Sequence, residues 1–193
     1  MLDRILKSQF ILASASPRRK KLLNQIGLKF KVSANNVAEI DDDKYPLRTI
    51  KRNALNKCES AALHYKNKII ISADTIVVIN GKVLHKPKDA KDAKTYLEML
   101  SGKTHVVYSG ICIINKISGK NVYGYEKTEV TFKKLDTEEI DYYVKRHKPL
   151  DKAGAYGIQD DFGCLFVKSI KGDYYNVVGL PLVKLFSLIK ESF

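Results

Sequence analysis

Ile11-Leu12-Ala13-Ser14-Ala15-Ser16-Pro17-Arg18-Arg19-Lys20-Lys21-Leu22-Leu23 decides the fold. The apolar run from Gln9 to Ala13 reads as a strand, and the small hydroxyl residues after it lead into a helix. Pro17 suits the first helical position, where a missing N–H costs nothing, and Ser16 suits the N-cap. Arg18, Arg19, Lys20 and Lys21 then conflict with the helix dipole, because a helix N-terminus already carries partial positive charge and unpaired N–H groups. An anion facing them removes the conflict. The first-turn N–H groups, the hydroxyls of Ser14 and Ser16 and two guanidiniums suit a polyphosphate. A solvated basic first turn is the plainer alternative.

Working outward, the pattern is mixed. Leu22, Leu23 and Ile26 give the inward stripe of the first helix, and Gly27 stops it. Phe30 and Val32 alternate with polar residues as a short half-buried strand. The acidic loop from Glu39 to Asp43 follows. Pro46 to about Tyr65 has helical spacing through Leu47, Ile50, Ala54, Cys58 and Ala61. Ile69 to Ile79 is a β-branched core strand ending at Asn80-Gly81, a tight-hairpin signal, with a return through Lys82 to Leu84.

Asp89 to Leu100 reads as a helix closed by Ser101-Gly102. Thr104–Asn115 and Asn121–Lys134 read as two longer strands, and Asp136 with Glu139 as a capping box for a helix to about Arg146. Leu165–Ile170 and Tyr174–Val178 are expected to form a closing hairpin about Gly172-Asp173, before a helix that Pro181 opens and that runs to about Lys190. Strand–helix units followed by hairpins predict an α/β domain with a mixed, twisted central sheet flanked by helices, spanning residues 1–193.

Composition narrows the function. The chain has 193 residues, 45% of them hydrophobic, and a formal net charge of +13. That is enough for one buried core. No apolar run reaches membrane-spanning length, and no signal-peptide pattern opens the chain, so a cytoplasmic protein is expected. Of the basic residues only six are Arg, at positions 4, 18, 19, 48, 52 and 146. Scattered lysine with no interleaved aromatic stripe argues against a specific nucleic-acid partner. Cys58, Cys112 and Cys164 fit neither a disulfide framework nor a CxxC metal site and read as buried free thiols. His105 lacks zinc-ligand spacing, so a structural or rim role is expected for it.

Two further stretches carry chemistry. Asp74 sits inside the apolar Ile69–Ile79 run, where an ionised carboxylate is costly unless paired, hydrogen-bonded or metal-bound. A bulge or Thr75 satisfying it locally is the plain reading; metal ligation and activation of water is the functional one. Asp151 to Gln159, rich in glycine and alanine around Tyr156, either walls a ligand site or forms a structural loop.

Ser14-Ala15-Ser16-Pro17-Arg18-Arg19 resembles the N-terminal signature of the Maf-like nucleoside triphosphate pyrophosphatases. Later motifs resemble the family in the same order: Ala73–Val77, Lys86-Pro87, Ser101–His105, Asp151–Gln159 and Val178–Leu182. The resemblance implies the two-lobed fold shared with inosine triphosphate pyrophosphatases (Maf/Ham1) and hydrolysis of a nucleoside triphosphate to the monophosphate and pyrophosphate. It implies Glu39 and Asp74 as catalytic carboxylates holding Mg²⁺ or Mn²⁺. It also implies Ser14, Ser16, Arg18, Arg19, Lys57, Thr75, Lys86 and Gln159 as phosphate or substrate contacts, with Asp151 and Lys152 as supports, and a homodimer.

The wording Gly154-Ala155-Tyr156-Gly157-Ile158-Gln159 resembles the dTTP/UTP branch, and modified pyrimidine nucleotides would fit a housecleaning role. Methylated GTP as substrate, or a non-enzymatic regulator of cell division and septum formation, are the alternatives. The chain departs from the pattern after Gln159, where the family usually has glycine and here Asp160-Asp161-Phe162 intervenes before Gly163, so base preference is less firmly implied than the chemistry.

Overall fold

The computed structural model describes all residues from 1 to 193 except Asn36, Asp41, Asp160 and Asp161. The protein is a mixed α/β chain. A seven-stranded sheet has the hydrogen-bonded order β2-β1-β3-β5-β6-β7, with β4 paired to β3. Its strands are β1 (Gln9–Leu12), β2 (Lys29–Val32), β3 (Ile69–Ile79), β4 (Lys82–Leu84), β5 (Thr104–Asn115), β6 (Asn121–Phe132) and β7 (Val167–Lys171). The helices are α1 (Leu2–Lys7), α2 (Pro17–Gln25), α3 (Pro46–Ala62), α4 (Ala90–Leu100), α5 (Thr137–His147), α6 (Tyr174–Val178) and α7 (Leu182–Ser192).

The chain forms two compact units. The first comprises Met1–Asp74, Ser109–Glu126 and Gly179–Phe193, and the second Thr75–Tyr108 and Lys127–Val178. In the first unit β1 pairs in parallel with both β2 and the start of β3, through Phe10↔Ile69 to Leu12↔Ile71. Parallel pairing needs crossovers, which α2 and α3 supply.

α3 packs its small face onto that sheet. Ala54, Cys58 and Ala61 cluster with Ile11, Ala13, Ile70, Cys112 and Ile114. Small residues let the helix backbone come close, and the Ser72 hydroxyl donates to the Ala54 carbonyl at 2.6 Å. The two residues of α3 that matter for the site, Asn53 and Lys57, flank this stripe one turn apart. β2 is more exposed than its alternation suggests: Phe30 is half-buried, but Val32 is 42% exposed. It is an edge strand of the sheet.

In the second unit β4 returns antiparallel against β3, with Val77↔Leu84 and Val78↔Val83, through a turn in which Asn80 and Gly81 both have positive φ. β7 pairs antiparallel with β6. The expected closing hairpin is therefore replaced, because Tyr174–Val178 is a helix. The Asp173 carboxylate accepts from the N–H groups of Tyr175 at 2.7 Å and Asn176 at 3.2 Å, which is N-cap chemistry. Asn176 in turn donates to the Val107 carbonyl and the Thr128 hydroxyl. Gly172-Asp173 is thus a strand-to-helix corner.

Cys58 and Cys112 are buried free thiols, as expected, but Cys164 is exposed, on a short 3₁₀ turn (Gly163–Phe166). Among the described residues no helix is long and apolar enough to cross a membrane.

Candidate active site

The opening stretch folds as its chemistry dictates. Ser16 caps α2, its hydroxyl accepting from the Arg19 N–H, and Pro17 fills the first turn. No acidic residue lies in that turn. Arg19 folds back on its own helix entry: Nη1 donates to Ser14 Oγ at 3.1 Å, and Nε donates to the Gly179 carbonyl at 2.9 Å. Ser14 Oγ also accepts from the Ser16 N–H at 3.3 Å. Burial pushes the Arg19 guanidinium below its ordinary value and Arg18 adds to that push, while Asp74 and Glu39 oppose it. The carboxylates thus help keep the second arginine charged.

Those carboxylates meet within the first unit. Asp74 lies at its boundary on β3 and is 6% exposed. Lys57 Nζ donates to Asp74 Oδ1 at 2.7 Å and to Glu39 Oε1 at 2.6 Å, so one ammonium bridges two carboxylates. Asn53 Nδ2 donates to Asp74 Oδ2 at 3.2 Å. The buried charge in the apolar strand is therefore answered by Lys57 and Asn53, in line with the rule that buried ions are paired.

Among the described residues no group of three or more His, Cys, Asp and Glu is arranged to hold a metal. Two carboxylates meeting at one point are nonetheless donors of the kind Mg²⁺ or Mn²⁺ takes, because such a cation keeps several waters and needs few protein ligands.

Thr75, Lys86 and Gln159 belong to the second unit. Thr75 is half-buried on β3, and Lys86 and Gln159 are exposed. The loop before Gln159 is fastened from within that unit. Gly154 has φ +69°, and a Cβ there would meet Val77 at 3.0 Å, so only glycine fits without strain. The Gly154 N–H donates to the His85 carbonyl and the Gly157 N–H to the Tyr143 hydroxyl. The exposed Asp151 carboxylate is paired with Lys152 at 2.8 Å. Asp160 and Asp161 lie outside the described residues; Phe162 packs on Tyr142 with ring centroids 5.0 Å apart.

His105 is structural rather than at the rim. It is 1% exposed, with Nε2 2.8 Å from the Tyr156 hydroxyl and its ring edge-on to Phe132. Burial pushes its imidazole down to about 4.

Two contributors are absent from the sequence reading. The Gly179 carbonyl that braces Arg19 lies within the recognised Val178–Leu182 motif, but no side chain advertises it. Asn53 carried a usable signal: it is a polar residue beside the apolar stripe of α3, one turn before Lys57.

The Maf-like protein family model matches residues 9–192. The dTTP/UTP pyrophosphatase of Thermoanaerobacter sp. (strain X514) is 47% identical over 186 residues, covering 96% of this chain and 97% of that protein. The dTTP/UTP pyrophosphatase of Bacillus cytotoxicus is 47% identical over 184 residues, covering 95% of each. The solved structure of the Staphylococcus aureus Ham1 protein is 14% identical and covers 65% of this chain and 72% of that one, with a TM-score of 0.49. A family match over nearly the whole length and relatives of this identity agree with the ordered motifs from Ser14 to Leu182: the chain belongs to the Maf-like family.

Proposed function

We propose that this protein hydrolyses dTTP and UTP to the nucleoside monophosphate and pyrophosphate. The observation that carries the reading is the Glu39–Lys57–Asp74 arrangement, a buried carboxylate and a partly exposed one held about a single ammonium. It stands in a chain whose relatives are named for that activity.

The reaction adds water across the α–β anhydride. The bond from the α-phosphorus to the bridging oxygen breaks, and pyrophosphate leaves with that oxygen. One of the two carboxylates, Asp74 or Glu39, accepts the single proton released by the attacking water, and Lys57 keeps the pair together against their mutual repulsion. Arg18, Arg19 and the hydroxyls of Ser14 and Ser16 offset the polyphosphate charge, with Arg19 pre-set by its bonds to Ser14 and Gly179. Glu39 and Asp74 would hold Mg²⁺ or Mn²⁺, which when bound supplies positive charge to the phosphate oxygens. Modified pyrimidine triphosphates fall within the same reading.

Asp74→Asn tests it. The amide keeps the shape and removes the charge, so turnover should be lost while circular dichroism and Tm show a folded protein; unchanged turnover removes Asp74 from the chemistry.

A further inference from the structure

The Asp74–Lys57–Glu39 chain is closed on its other side by a residue with no place in the scheme above. Asn53 is 4% exposed on α3. Its Oδ1 accepts from the Ile40 N–H at 2.8 Å, and its Nδ2 donates to the Ile40 carbonyl at 3.1 Å and to Asp74 Oδ2 at 3.2 Å. Both amide hydrogens are thus used. The orientation is fixed, since turning the amide over would set donor against the Ile40 N–H and oxygen against two acceptors.

Ile40 follows Glu39, so the contacts form a ring: Glu39 to Lys57, Lys57 to Asp74, Asp74 to Asn53, Asn53 to Ile40, and Ile40 to Glu39 through the peptide bond. Glu39 lies outside helix and strand. Loop backbone of this kind moves unless something holds it. The neighbouring ties, Thr49 Oγ1 to the Asp42 carbonyl at 2.9 Å and the Lys44 N–H to Asp42 Oδ1 at 3.0 Å, hold residues further along. Asn53 holds the peptide next to Glu39 itself.

We infer that Asn53 is a positioning residue, which sets the Glu39 carboxylate against Asp74 by gripping both the Ile40 peptide and the Asp74 side chain. The inference rests on the hydrolase reading for its kinetic consequence and on the hydrogen bonds alone for its structural one. It acts on orientation and touches no substrate. Its loss should therefore lower kcat while leaving KM near its wild-type value, the mark of an interaction that matters to the transition state rather than to binding.

The test compares wild type, Asn53→Leu and Asn53→Asp in the full chain. Asn53→Leu keeps the branched outline of the side chain and removes all three bonds. Asn53→Asp keeps an acceptor for the Ile40 N–H but has no donor for the Ile40 carbonyl or Asp74. Amide hydrogen exchange at Ile40, measured by NMR on metal-free protein, should be protected in wild type and Asn53→Asp and unprotected in Asn53→Leu. With dTTP, kcat should fall on the order of 10- to 100-fold in both variants, the scale for misplaced catalytic groups.

Unchanged Ile40 exchange in Asn53→Leu, or unchanged kcat in both variants, overturns the inference. A fall in Tm with kcat intact assigns Asn53 to stability alone and overturns it too. Should Asn53→Leu not fold, Asn53→Ser, which adds no charge beside Asp74, decides by the same Ile40 exchange and kcat–KM readouts. A wild-type protein inert toward every triphosphate overturns the hydrolase reading, and the exchange comparison then upholds or overturns the grip of Asn53 on the Glu39 segment.

Discussion

Acid should weaken this protein through His105. The imidazole is 1% exposed, Nε2 is engaged with the Tyr156 hydroxyl, and Nδ1 has no hydrogen-bond partner. Protonation would place a charge among Phe132, Tyr156 and their neighbours and leave an N–H with no acceptor. The folded-state value is accordingly pushed down from 6.5 to about 4 by burial. Because the folded value is depressed, the unfolded chain binds the proton first. Stability is intact above pH 6.5, declines as pH falls below it, and reaches its full loss near pH 4. For values of 6.5 and about 4, lowering pH from 7 to 5 removes about 2 kcal/mol through this one group.

The assay is urea unfolding at both pH values for wild type and His105→Gln, which cannot titrate. Titrations common to both proteins cancel in the comparison. Wild type should lose about 2 kcal/mol more than the variant over that interval. Equal losses, or an NMR titration that puts His105 near its ordinary value, would remove His105 as the source of acid sensitivity.

Removing the α2 cap by Ser16→Ala should lower stability by about 1 kcal/mol in urea unfolding, the usual cost of a lost N-cap. Gly163→Ala should cost more, about 1–3 kcal/mol by thermal denaturation. Its Cβ would stand 2.7 Å from the Gly157 carbonyl oxygen and 3.0 Å from the Tyr143 hydroxyl.

The fold was legible where local chemistry and tertiary context agree. Ile69–Ile79 is apolar, β-branched and closed by Asn80-Gly81, so its bounds could be read directly. Asp136 and Glu139 form the expected reciprocal cap on α5. Tyr174–Val178 misleads because tyrosine and valine favour strands, whereas the Asp173 cap and the buried amide of Asn176 decide for a helix. α1 was not read, since six residues give too short a pattern. Cys164 is exposed rather than buried, because it sits on a 3₁₀ turn that no periodicity marks.

In the site, the anomalies of charge were the informative signals: basic residues at a helix start and a carboxylate in an apolar strand. Their partners were less legible. Asn53 meets Ile40 across a loop whose path is set by tertiary contact, and Gly179 contributes only a carbonyl.

The most direct measurement is pyrophosphate release by the wild-type protein from a panel of nucleoside triphosphates, with Mg²⁺ or Mn²⁺ and with chelator. Release from dTTP and UTP that requires the metal is expected; a folded protein that releases pyrophosphate from none of the panel would overturn the hydrolase reading.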